Sequence, residues 1–254
     1  MHPSIHAAAA VLRGRERILV FTGAGISTES GIPDFRGPDG VWKRVDPAEF
    51  TIDRYLSNAE TRRRSWEMRF FSGVLDAGPN AAHHAVTGFW AQHRMIGCVT
   101  QNIDGLHQAA GLPAEAVIEL HGNARLTRCV RCNAAWPTED IRIRFEGGDT
   151  DPHCEHCGGI LKVDVVMFGE MLPDRAMRRA MEWADSTDAV LAIGSTLSVY
   201  PAAMVPLAAV RAGAPLVIVN RGETEHDLWA DAMVDGSAGE VLPGLLEALA
   251  EEPG

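Results

Sequence analysis

The run Ile18-Leu19-Val20-Phe21-Thr22-Gly23-Ala24-Gly25-Ile26-Ser27-Thr28 decides how this chain folds. Apolar, β-branched residues with no polar alternation read as a strand covered on both faces. The glycines directly after it let the backbone turn sharply and approach a ligand with no Cβ in the way. Working outward, similar short runs recur at Ile96–Thr100, Val117–Glu119, Val163–Met167, Ala189–Ile193 and Leu216–Val219. Helical stretches separate them at Ala81–His93, Ile103–Ala110, Arg175–Asp185, Pro201–Ala212 and Gly239–Ala250. Ser4–Arg13 reads as an amphipathic helix that caps the fold. This alternation predicts an α/β class with a mostly parallel sheet.

A chain of 254 residues fits one large domain, or one with a small insertion. Its 46% apolar and 22% charged residues exclude a disordered chain, a fibrous repeat and a disulfide-dense miniprotein. Lysine and arginine number 23 against 34 acidic residues, a formal charge of −11, which argues against a nucleic-acid partner gripped by the overall field. The apolar stretch Ala7–Leu12 is too short for a secretory core or a membrane span, and Arg13, Arg15, Glu16 and Arg17 follow at once. A cytoplasmic protein without a membrane partner is the expectation.

Cysteine spacing is the most specific chemical signal. Cys129-x-x-Cys132 is followed, after 21 intervening residues, by Cys154-x-x-Cys157. Two such knuckles supply four thiolates for a tetrahedral zinc ion with no position left for water, so the metal should be structural, with His153 or His156 in place of one cysteine as the alternative. Composition shifts around them: Arg128, Arg131, Arg142 and Arg144 cluster here, and Gly147–Pro152 is polar and turn-rich. Residues 122–163 therefore read as a small inserted module. The fifth cysteine, Cys98, lies in a strand and reads as a small buried apolar residue.

Other motifs sit at strand ends. Gly23-Ala24-Gly25 is a partial dinucleotide fingerprint, with Thr28 where a third glycine would stand and no acidic ribose ligand about 20 residues on. In Ser30–Gly40, Arg36 could reach a pyrophosphate and Phe35 could cover a ring, or the segment could be an ordinary loop with an Arg–Asp pair. Thr100-Gln101-Asn102-Ile103-Asp104-Gly105-Leu106-His107 ends a strand, where α/β sheets bind ligands, although Asn102 and Asp104 also suit a helix cap. His107 reads as structural. Glu119-Leu120-His121-Gly122 offers a candidate general base, while His83 and His84 lie on a helix and His226 looks peripheral. Val165–Pro173 and Gly194–Pro201 leave backbone exposed that could receive an extended peptide, and Asn220 carries an amide suited to a ribose or adenine.

Together, Gly23–Gly37, Thr100–His107, Glu119–Gly122, the double CxxC, Val165–Pro173, Gly194–Ala202 and Val217–Asn220 closely resemble the sirtuin family of NAD-dependent protein-lysine deacylases, in the family's order over roughly residues 5–250. The resemblance implies a Rossmann-like parallel sheet with helices on both faces, built from residues 1–121 and 164–254. A zinc-binding module at 122–163 would join it, with the 38–80 segment forming part of the small lobe, and the active site would lie in the cleft between. It implies NAD+ as co-substrate, one structural Zn2+ on Cys129, Cys132, Cys154 and Cys157, and acylated-lysine proteins bound as an extended strand.

By motif position, Gly23, Ala24, Gly25, Ser27, Thr28, Asp34, Phe35 and Arg36 would lie along the cofactor. Gln101, Asn102, Ile103 and Asp104 would form its nicotinamide and ribose end, and Gly194, Ser195, Thr196 and Asn220 its adenosine side. His121 would act as general base, with Asn102 assisting. Val166, Phe168, Gly169, Glu170 and Val199 would meet the peptide. Sirtuins that prefer succinyl or malonyl groups carry Tyr-x-x-Arg where this chain has Trp66 and Arg69, so acetyl or another neutral acyl group is expected. NAD-dependent mono-ADP-ribosyl transfer and a non-catalytic NAD or ADP-ribose sensor are the rival readings.

Overall fold

The computed structural model describes residues 3–35, 37, 40–43 and 45–250. In chain order the strands are β1 (Ile18–Thr22), β2 (Met95–Thr100), β3 (Val117–Glu119), β4 (Gly122–Cys129), β5 (Ala135–Pro137), β6 (Leu161–Val165), β7 (Ala189–Ile193), β8 (Leu216–Asn220) and β9 (Ala232–Asp235). The helices are α1 (Pro3–Leu12), α2 (Ile52–Ser57), α3 (Ala59–Phe71), α4 (Ala81–Ala91), α5 (Leu106–Ala109), α6 (Thr138–Glu146), α7 (Asp174–Ser186), α8 (Met204–Arg211) and α9 (Ala238–Ala250).

Six strands pair in parallel in the order β3-β2-β1-β7-β8-β9. Counted within this sheet the order is 3-2-1-4-5-6, that of the Rossmann fold, and its direction reverses between β1 and β7. Residues of β1 alternate between two cores. Ile18 and Val20 pack with residues of α1, α4 and α9, while Leu19 and Phe21 pack with residues of α7 and α8. This double burial is why the strand reads as an unbroken apolar run.

A second, antiparallel sheet, β5-β4-β6, lies between β3 and α7 in sequence. With α6 it packs against Trp66 and Phe70 of α3, in one core with Cys129, Cys154, Ile141 and Phe145. Arg62 of α3 adds a bidentate pair to Asp151, with both nitrogen–oxygen distances 2.7 Å.

Several expectations change. The run expected as a parallel strand at Val163–Met167 is instead β6, in the small antiparallel sheet. Leu161 and Val163 are buried and Lys162 and Asp164 are not, the period-two pattern of a sheet covered on one face. The helix expected over Ile103–Ala110 shrinks to Leu106–Ala109, because Gly105 takes φ +72° and Asp104 caps from outside. Pro201–Ala212 becomes helical only from Met204, and the turn after β1 is a 3-10 helix, Ala24–Ser30, not an α-helix. β4, β5, β9 and α6 match no element expected from the sequence. Among the described residues no helix is long and apolar enough to cross a membrane.

Candidate active site

Two loops abut where the strand order reverses. Gly23 N–H donates to Ile193 O and Gly25 N–H to Gly194 O, at 3.0 and 2.8 Å. A Cβ on Gly23 would lie 2.7 Å from Gly194 O, and one on Gly194 would lie 2.4 Å from Ile26 N. The glycines are thus required first by loop-on-loop packing, where the sequence alone suggests ligand approach. Thr28 turns its hydroxyl back to Gly25 O, and Asp34 accepts the Gly37 N–H to shape the loop that carries Phe35, itself 40% exposed. Arg36 lies outside the described residues.

Behind this junction sits a buried polar network. The Ser27 hydroxyl donates to Asp104 Oδ2 at 2.8 Å, and Asn102 Nδ2 donates to Ser27 Oγ and Gly23 O, both at 3.1 Å. Asp104 Oδ1 accepts the Leu106 N–H at 2.9 Å. Ser27, Asn102 and Asp104 are all buried. Ile103 lies between the last two and packs against the small-lobe core.

Two histidines outside the expected set support this network. His83 caps α4 with Asn80, and its Nε2 lies 3.4 Å from Ser27 Oγ. The Asn80-x-x-His83 spacing is the sequence signal that could have revealed it. His107 Nε2 lies 2.9 Å from Thr22 Oγ1, which donates to Thr100 Oγ1, the acceptor of the Asn102 N–H. Thr22 has spent its only proton, so His107 Nε2 must donate and Nδ1 is bare, consistent with its lack of a partner. Burial pushes His107 down to about 3 and lowers His83 as well, so both are neutral. His226, expected at the periphery, is fully buried against Trp229.

Gln101 joins the parts. Its N–H donates to Thr22 O, its Nε2 donates to Ser195 Oγ at 2.9 Å, and its carbonyl accepts from His121 Nδ1 at 2.8 Å. A carbonyl only accepts, so neutral His121 carries its proton on Nδ1 and leaves Nε2 free to take one. Burial lowers the imidazole's pKa and the bond to Gln101 raises it, with a net shift downward. His121 O accepts the Val166 N–H at 2.8 Å, tying the histidine to the loop after β6.

Many of that loop's backbone groups are already bonded, partly to neighbouring segments. Phe168 N–H donates to Phe50 O and Phe168 O accepts from Ile52 N–H. Glu170 is bound to Lys162 and to the Met167 N–H. Among the described residues Val166 C=O and Gly169 N–H have no such partner. On the loop after β7, Val199 C=O accepts from Ala203 N–H, and Thr196 bonds Ser198. Asn220 Nδ2 is turned to Arg221 O and Gly222 O, and Asn220 lines a cavity of about 270 Å³ with Glu223, Asp227 and Asp235. Asp235 there accepts the Gly222 N–H, and Asp227 accepts the Thr224 N–H and hydroxyl. Trp66 is buried and stacked on Phe70, with ring centroids 5.4 Å apart, and Arg69 Nε is buried without a partner.

The four sulfur atoms of Cys129, Cys132, Cys154 and Cys157 all lie within 4.8 Å of one another. Two pairs are 3.5 and 3.6 Å apart, near the roughly 3.8 Å edge of a ZnS₄ tetrahedron with 2.3 Å bonds. A Cβ on Gly159 would lie 2.8 Å from Cys129 Sγ, and the Arg131 N–H points at that sulfur from 3.4 Å. The cluster fits one structural zinc ion.

The chain is similar to known proteins over most of its length. The model of the Sir2 family matches residues 23–201. NAD-dependent protein deacetylase 2 of Streptomyces coelicolor is 44% identical over 240 residues, which are 94% of this chain and 100% of that protein. A structure solved in work on the mechanism and regulation of Sir2 enzymes superposes with a TM-score of 0.90 at 40% identity, covering 98% of this chain and 99% of that one. Another is a Sir2 histidine-to-alanine variant with a deacetylated p53 peptide and 3′-O-acetyl-ADP-ribose. It gives a TM-score of 0.88 at 38% identity, covering 94% of this chain and 96% of that one.

Proposed function

This chain belongs to the Sir2 family, and from that membership and the geometry of the cleft we propose that it removes acyl groups, acetyl foremost, from protein lysines at the expense of NAD+. The observation that carries the reading is His121, whose Nδ1–H is committed to Gln101 O and whose Nε2 is left as a base beside the cofactor-side loops. When bound, NAD+ supplies the electrophilic ribose carbon that the acyl oxygen attacks as nicotinamide leaves, and it receives the acyl group.

The chain's own residues do the rest. Asn102 and Asp104, braced by Ser27, face the nicotinamide end, and Asp104 is the residue for its carboxamide. Gln101 couples that end to Ser195 and to His121. Phe35 covers the reacting centre and excludes water from a cationic transition state. His121 Nε2 takes a proton from the ribose hydroxyls, and help of this kind is worth roughly 10²–10⁴-fold. Gly194, Thr196 and Asn220 hold the adenosine side, where Glu223 and Asp235 line the cavity.

An acyl-lysine peptide enters as an added strand between the loops at 165–173 and 194–201. On the first loop it uses Val166 C=O and Gly169 N–H, with Phe168 and Val199 along the lysine. Glu170 shapes the loop instead of touching the peptide. Trp66 fills space behind the acyl pocket, and with no phenol to assist Arg69 a small neutral acyl group fits better than a carboxylated one. The lobe division at 122–163 with the 38–80 segment, and residence in the cytoplasm, belong to the same reading.

The test is incubation with acetyl-, propionyl- and succinyl-lysine peptides and NAD+, following nicotinamide and peptide mass together. Release of both products fastest from the acetyl peptide is expected. ADP-ribose transferred to protein without peptide deacylation would contradict it.

A further inference from the structure

Lys162 leaves β6 with its Nζ donating to Val165 O at 2.6 Å and to Glu170 Oε2 at 2.9 Å. The same carboxylate oxygen accepts the Met167 N–H at 2.8 Å, and the Glu170 N–H returns to Met167 O at 3.0 Å. One cation and one carboxylate thus close residues 165–170 into a ring. The two side chains are only 14% and 26% exposed, so water competes poorly for these bonds.

The ring determines which backbone groups an incoming strand can reach. Val165 O and Met167 N–H are consumed inside it, while Val166 N–H and Phe168 are tied outward to His121 and to the Phe50–Ile52 segment. Among the groups left available are Val166 C=O and both the N–H and the C=O of Gly169, with Gly169 held at φ +89°. Without the ammonium, Val165 O and the Glu170 carboxylate lose their shared donor, and the ring is held only by the two bonds between Met167 and Glu170. Arginine fills 21 of the 23 Lys and Arg positions of this chain, so lysine here departs from its habit. A compact ammonium with three donors suits two acceptors this close together.

We propose that Lys162 is a positioning residue for acyl-peptide binding, acting through the ring it closes with Glu170. The proposal rests on the reading that this loop receives the peptide. The full-length chain is compared with Lys162→Met and Lys162→Arg in steady-state deacetylation of an acetyl-lysine peptide, with NAD+ affinity and melting temperature measured alongside. Loss of the charge-assisted bonds should raise the peptide KM about tenfold in Lys162→Met. Its kcat should stay within about twofold and its NAD+ affinity at the parent value, and Lys162→Arg should recover most of the peptide affinity.

An unchanged peptide KM in Lys162→Met overturns the proposal. So does a loss shared equally by kcat, NAD+ affinity and melting temperature, which marks a merely structural role. Should Lys162→Met not fold, Glu170→Gln keeps an acceptor for Met167 N–H and removes the charge. A raised peptide KM there supports the ring, and a parent-like KM overturns it. If the parent itself leaves the acetyl peptide unchanged, the reading beneath the proposal falls first and takes the proposal with it.

Discussion

His121 Nδ1 donates to the carbonyl oxygen of Gln101 at 2.8 Å, and this one bond determines which nitrogen can act as a base. Burial holds the imidazole below its ordinary 6.5, the Gln101 bond only partly offsetting it. The neutral form is the active one, so the acid limb of the kcat/KM–pH profile should have its midpoint below 6.5. Rates measured on an acetyl-lysine peptide across pH 5–8 check this, and a limb well above 6.5 assigned to His121 would contradict it.

Ser27 stands between Asn102 and Asp104, accepting from one and donating to the other. Ser27→Ala leaves a buried carboxylate oxygen and a buried amide each short of one partner, a loss of about 1–3 kcal/mol. The expected outcome is an NAD+ KM raised roughly tenfold or more, with the peptide KM little changed. Titration of both substrates separates the two.

The zinc cluster and α3 share a core: Cys129 and Cys154 pack in the same cluster as Trp66 and Phe70. Stripping the metal with a chelator should therefore release about one zinc per chain, lower the melting temperature and abolish activity, with NAD+ and peptide turnover lost together. Cys132→Ser, at an exposed ligand, should reproduce this without a chelator.

Arg62 is nearly buried and bonds Asp151 through two nitrogens at 2.7 Å, while also donating to Tyr55 O and Leu56 O. Asp151→Ala leaves that cation without its carboxylate and should destabilise the protein by about 3–5 kcal/mol. Chemical denaturation measures it. Arg54 with Glu49, more exposed, should contribute less than about 1 kcal/mol.

His107, neutral in the fold and pushed down to about 3, implies an acid limit on stability. In the unfolded chain it takes a proton near 6.5, which the folded chain cannot bind until far lower pH. Stability is thus fully present above about 6.5 and declines as pH falls toward 3. His83 is lowered in the same direction by burial. Melting temperature against pH should show this decline, and it should be shallower in His107→Gln.

What could be read from the residues was whatever is encoded locally. β1 announces itself because both its faces are buried, and the four cysteines because metal ligation needs their spacing. β6 reads as a strand of the large sheet because a short apolar-rich run does not reveal its partner. Only the alternation of Leu161 and Val163 with Lys162 and Asp164 separates one-sided from two-sided burial. The packing of Gly23 on Gly194, the shielding of Ser27 by His83 and the closure of Met167 on Glu170 depend on contacts that no local pattern spells out. His121 was recognisable by motif, whereas its tautomer required Gln101 in space.

The role of His121 in NAD+-dependent deacylation is measured by incubating the parent chain and His121→Ala with an acetyl-lysine peptide, with and without NAD+, and quantifying deacetylated peptide and nicotinamide. The parent should form both in equal amounts and only with NAD+. His121→Ala should form deacetylated peptide roughly 10²–10⁴-fold more slowly while still binding NAD+. A parent that deacetylates nothing, or a His121→Ala variant that works at the parent's rate, would contradict the account.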